Sequence, residues 1–175
     1  MNKTFNILAA IALLFCSGDL RASDGFASVR CGSDIAKALI GRTMSNEPVV
    51  GIVARHKNLG LEDLGGTEIS ERLFLISWRI CGDEYALLED KDVVRDVLKF
   101  PAHSKDSPEF VGACRIDGKS TPGTIIAVLE NHADAENLPA KAAWKIDEAR
   151  SRFVELSGKG LLCPRDGVIT EDGGR

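Results

Sequence analysis

"RLFLISWRICGDEYALLED" (residues 72–90) decides how the rest of the chain is read. Phe74, Ile76, Trp78 and Ile80 alternate onto one face of a strand, and Leu73, Leu75, Ser77, Arg79 and Cys81 take the other. The first face is apolar throughout and is assigned to the core. Gly82-Asp83 supplies a hairpin turn, and "YALLE" returns as the partner strand. Asp83 and Glu84 then fall at the hairpin tip. Glu89, Asp90 and Asp92 fall where the second strand gives way to "KDVVRDVLKF" (91–100), which reads as one or two helical turns carrying Val93, Val94, Val97 and Leu98. Acids just before such turns suit the positive end of a helix and are expected to be solvated.

Working upstream, "CGSDIAKALIGRTM" (31–44) has the signals of a short helix. Ser33 is placed to cap it, Asp34 to favour its first turn and Gly41 to end it, with Ile35, Ala38 and Leu39 as an apolar stripe. "VVGIVARH" (49–56) has the β-branched content of a strand, and "HKNLGLEDLGG" (56–66) reads as a polar surface loop. Downstream, "EFVGACRID" (109–117) and "GTIIAVLEN" (123–131) read as strands joined by the loop "GKSTP". "KAAWKID" and "RFVELS" read as a hairpin across "EARS", with Trp144 and Ile146 inward. "GLLCP" (160–164) is a last short strand, and the tail from Arg165 to Arg175 is expected to fray. The sum is an α+β domain: an N-terminal helix packed on a mostly antiparallel sheet of about six or seven strands.

The compartment follows from the first 22 residues. Lys3, an apolar run from Phe5 to Phe15 broken only by Asn6, and small residues ending at Ala22 have the layout of a secretory signal peptide. Residues 1–22 are therefore read as a signal, and residues 23–175 as a single exported domain, periplasmic or secreted. Phe15 before Cys16 is too large for a lipid-modification signal, and no later stretch is long and apolar enough to span a bilayer. With Cys16 removed, Cys31, Cys81, Cys114 and Cys163 remain. In an oxidising compartment these read as two disulfides, and the non-crossing pairing Cys31–Cys81 with Cys114–Cys163 is preferred. The cysteines contain no CxxC pair and no close Cys–His cluster, which argues against redox and zinc roles. Docking the N-terminal helix on Leu73 and Leu75 would bring Cys31 to the hairpin tip. A formal net charge of −4 without a basic stripe argues against nucleic acid.

The chemistry-bearing residues form no recognisable constellation. His132, Asp134 and Glu136 alternate in "HADAE", but calcium needs more oxygens and zinc a firmer frame. His103 lies between Pro101 and Pro108, and His56 has no neighbouring nucleophile. Ser70 and Ser77 lie in neither a GxSxG nor an SxxK motif. Trp78 and Trp144 sit at inward positions of alternating strands and read as core. No catalytic residue, metal or cofactor is expected. The leading expectation is an exported binding module, in one form an inhibitor of a cell-envelope or proteolytic enzyme. It would meet another exported protein or an envelope component through a loop of His56, Lys57, Asn58, Leu61, Glu62 and Asp63. The alternative is a carboxylate-based hydrolase, which requires Glu84, Glu89 or Asp90 to be buried in a concavity. A structural envelope protein without a pocket is the third reading.

Overall fold

A computed structural model describes residues 24–44, 48–132 and 135–169. The expected signal segment, the end of the tail from residue 170, and Asp134 lie outside the described residues. The architecture is mostly β, which corrects the α+β expectation: two antiparallel sheets carry the fold and helix is confined to short pieces. Strands β1 (Glu62–Glu68), β2 (Leu73–Ile80), β3 (Asp83–Asp90) and β4 (Val93–Lys99) form a four-stranded meander in that order. The second sheet contains β5 (Glu109–Gly112), β6 (Arg115–Ile116), β7 (Lys119–Ser120), β8 (Ile125–Leu129), β9 (Asn137–Asp147), β10 (Arg152–Leu156), β11 (Leu161–Pro164) and β12 (Val168–Ile169). Its order is β12-β5-β8-β9-β11-β6-β7, with β10 also pairing β9. Helices α1 (Ile35–Leu39) and α2 (Val49–Arg55) precede all of it.

The first sheet is buried on both faces, and this explains most departures from the sequence reading. On one face Trp78, Ile80, Tyr85, Leu87, Val94 and Val97 pack with Phe26, Val29, Ile35, Leu39 and Ile52 from the N-terminal segment. On the other, Leu73, Leu75, Ala86 and Leu88 meet Ile126, Val128 and Ile146 of the second sheet. Alternation along β2 is therefore real, but both sets are core. Phe74, assigned inward by period, lies instead at 42% exposure near the sheet's end. A third cluster, built on Phe110, Cys114, Ile125, Leu129, Leu138 and Cys163, fills the far side of the second sheet.

Five local readings are corrected. "VVGIVAR" is helix rather than strand: it follows Pro48, buries Ile52 and leaves Val50 at 76% exposure, so one-sided packing overrides β propensity. Residues 91–99 are turn and strand rather than helix. A bulge at Arg95 places Val94 and Val97 on the same face, which imitates helical spacing. The loop 56–66 is a 3₁₀ turn, Lys57–Leu59, followed by edge strand β1, whose exposure on both faces erases any alternation. The cap of α1 is Asp34, whose carboxylate accepts from Lys37 N at 3.0 Å, while Ser33 Oγ donates to Arg30 O at 2.7 Å. The tail is ordered through Ile169, where β12 pairs with β5.

Both disulfides are present: Cys31–Cys81 with Cα atoms 5.6 Å apart and Cys114–Cys163 at 4.3 Å. The helix placement is different from that expected. Helix α1 lies on the Trp78–Ile80 face, opposite Leu73 and Leu75. The hairpin turn is Cys81-Gly82 rather than Gly82-Asp83. Both residues have positive φ (55° and 87°), as a two-residue type I′ turn requires. Cys81 N donates to Leu59 O at 2.7 Å, so the turn holds the 3₁₀ segment as well as Cys31.

The N-terminal segment is also pinned by Asp24. Its carboxylate accepts from His56 Nε2 (2.8 Å), Arg55 Nη1 (3.2 Å) and Phe26 N (3.1 Å). Burial alone would raise its pKa, but the hydrogen bonds from His56 and Arg55 prevail and hold it below the usual carboxylate range. Asp24→Ala is expected to lower stability at pH 7 by about 1–2 kcal/mol. Because the native pKa is depressed, this contribution is complete above about pH 4 and fades as pH falls through the native value. Urea unfolding at pH 7 and pH 3 measures both parts.

Candidate functional site

Strand β3 supplies the unusual residue. As a central strand flanked by β2 and β4, it is buried continuously from Tyr85 to Asp90, so its terminal acids are drawn in with it. The expectation that Glu89 and Asp90 are solvated is thus corrected: they are 6% and 8% exposed. Their situations differ because they face opposite sides. Asp90 is satisfied by Arg72 Nη1 at 2.7 Å and Ser151 Oγ at 3.4 Å. Glu89 Oε1 has no hydrogen-bond partner among the described residues.

Glu89 lines an open cleft of about 440 Å³ at the end of the first sheet. In register across the sheet stand Glu68 on β1, Phe74 on β2 and Glu89 on β3, all pointing to the same face. Ile76 contributes apolar wall, and Arg72 and Lys91 provide cationic rims. Lys91 and Asp92 form the β3–β4 turn with φ of 52° and 65°, a conformation that is costly for residues other than glycine. Met44 N donates to Asp92 O at 3.0 Å, which ties this turn to the N-terminal segment.

Burial, and secondarily the nearby Asp92 carboxylate, push the Glu89 pKa up to about 7. Below that value Glu89 is a neutral acid able to donate a hydrogen bond. Above it, Glu89 is a buried anion able to accept a proton. A carboxyl poised near neutrality in a concavity is a group suited to general acid–base work or to recognition of a polar ligand.

The other residues singled out from sequence are dispersed. Lys57, Asn58, Glu62 and Asp63 are exposed, but His56 is held by Asp24, Leu61 is buried, and Glu62 pairs with Arg79. Asp83 pairs with Lys99 at 2.7 Å at the hairpin tip. Ser70 lines the Glu89 cleft, where its Oγ accepts from Leu73 N at 3.3 Å, and Ser77 is half-buried in β2. Trp78 is core, edge-on to Phe26 at 5.1 Å, and Trp144 lies 6.1 Å from Phe100. His132 is exposed, 3.7 Å from Glu130. Glu136 borders a larger cavity of about 660 Å³ beside Cys114, where Arg165 is already committed to Ala135 O and Asn131 Oδ1. That cavity holds no buried carboxyl or imidazole and is the less chemically equipped of the two.

Sequence reasoning named Glu89 but expected it to be solvated, since burial on both faces of β3 depends on partners distant in the chain. It did not connect Glu84, His103 and Glu109, which the fold brings together where the sheets meet. No family model, no curated protein and no solved structure matches this chain, so the site stands on its own geometry.

Proposed function

We propose that the protein is an exported binding module that takes its ligand in the Glu89 cleft, and that the ligand is an oligosaccharide of the cell envelope. One observation carries this reading: Glu89, buried and with no hydrogen-bond partner for its Oε1, lines a cleft beside a half-exposed phenylalanine. An exposed aromatic ring offers a platform for the apolar face of a sugar, and carboxyl groups exchange hydrogen bonds with its hydroxyls. The two disulfides and the lack of any long apolar helix among the described residues are compatible with an exported protein.

The same geometry favours a second reading, a carboxylate-based glycoside hydrolase. Glu68 and Glu89 flank Phe74 in register, two strand spacings apart, so their backbones are separated by roughly 10 Å. An inverting pair needs its carboxyl groups about 6.5–9.5 Å apart, a separation within reach of two glutamates on strands so spaced; Glu89 would protonate the leaving oxygen and Glu68 would activate water. A titration of ¹⁵N-labelled protein with soluble envelope oligosaccharides separates the two. Binding predicts amide shifts confined to residues 68–76 and 89–92, attenuated at least tenfold in affinity by Phe74→Ala, with no new reducing ends. Release of reducing ends that Glu89→Gln abolishes would establish the hydrolase instead. Absence of shifts at these residues would overturn both.

A further inference from the structure

We propose that Glu84, His103 and Glu109 form a binding site for a divalent transition-metal ion of the zinc class, at the junction of the two sheets. Glu84 comes from β3 of the first sheet, Glu109 begins β5 of the second, and His103 lies in the connection between them. One ligand atom from each lies within 4.8 Å of the others, and all three residues are half-buried. Three donors of one imidazole nitrogen and two carboxylate oxygens, converging at that distance, match a tetrahedral site that keeps a fourth position open. The four cysteines of the described residues are in disulfides, so no thiolate competes, and the nitrogen-and-oxygen donor set suits zinc or manganese better than calcium or copper(I).

The surroundings hold these ligands in place. Arg79 Nη2 donates to Glu84 Oε1 at 2.6 Å, which leaves Oε2 directed at His103 Nε2, its close partner. A second group bonded to one carboxylate oxygen commonly fixes a metal ligand through the other. The His103 ring is set by edge-on packing on Phe100, at 5.6 Å and 71°. An ion pair between Glu84 and His103 accounts for two members of the group and leaves the third unexplained. No described residue donates a hydrogen bond to the Glu109 carboxylate, although it is brought beside Glu84. The half-buried Glu109 carboxylate stands beside that of Glu84, and a dication at the centre would relieve the repulsion between the two.

Isothermal titration of the oxidised, chelator-treated protein with Zn²⁺ is the test. One saturable site is expected, weakened at least tenfold by His103→Ala and by Glu109→Gln but unchanged by His132→Ala. A second readout needs no variant. Zn²⁺ should slow diethylpyrocarbonate modification of His103 at least fivefold and leave His132 unaffected, as followed by peptide mass. No saturable binding, or Zn²⁺ that leaves His103 as reactive as before, would overturn the proposal.

Discussion

Replacing Cys31 and Cys81 together with serine is expected to lower the unfolding free energy by about 4 kcal/mol, from the entropy of closing a loop of this length. The bond spans 50 residues, nearly the same separation as the 49 of Cys114–Cys163. Loop length alone therefore predicts similar losses, and burial distinguishes the two. Cys81 is half-exposed at a turn, so a serine there remains solvated. Cys114 and Cys163 are fully buried in the third core, where two serines would add unsatisfied hydroxyls. The second double substitution should cost at least as much as the first. Against a typical total of about 5–15 kcal/mol, either loss leaves a marginal fold. Urea denaturation at pH 7 reads both, and the slope should steepen as the unfolded chain, freed of its cross-link, exposes more surface. A loss below about 1 kcal/mol for Cys31 and Cys81 would mean that the N-terminal segment is held by packing, by Asp24 and by its backbone hydrogen bonds to Asp92 and Val94 without help from the disulfide.

The reasons some of this was legible in the sequence, and some was not, are local. The β2–β3 hairpin could be read because its strands are regular and its turn contains glycine. The β4 strand could not, because the Arg95 bulge turns a two-residue period into a three-residue one. The β1 strand has no readable pattern because it is an edge with little to bury on either face. The second sheet was undercounted for a different reason. Strands β6, β7 and β12 are two residues each, too short to carry any period, whereas the longer β8 could be read as a strand. Cysteine pairing survived these errors since it depends on chain order and compartment. The site did not survive them. Glu84 and His103 are 19 residues apart, at no ligand spacing that a motif would reveal; pairing of β4 with β3, which ends where Phe100 N donates to Glu84 O, brings them together, and the second sheet adds Glu109.

The pH dependence of stability is where Glu89 should show its role most directly. Its carboxyl is raised from 4.5 to about 7 in the native state, so between those values the folded protein keeps a proton that the unfolded chain has released. Stability must then fall as pH rises through that window, the reverse of the behaviour of Asp24. The shift corresponds to about 3 kcal/mol, complete above pH 8 and absent below pH 4. Glu89→Gln removes the titration while keeping the shape. The difference in unfolding free energy between the variant and the parent should therefore grow by about 3 kcal/mol from pH 4 to pH 8, in favour of glutamine. Any cost of seating the amide is the same at every pH and cancels in that comparison. A difference that stays flat with pH would show that Glu89 ionises as an ordinary surface acid, and the cleft would lose its working group. If the slope is found, the chain carries at neutral pH a destabilising carboxyl that an amide of the same shape would avoid. Its neighbours Lys91 and Asp92 are held in the left-handed region beside it. The two-residue β3–β4 turn, which pairs Asp90 with Val93, accounts for those angles, so the buried carboxyl is the one cost at this cleft that packing leaves unexplained.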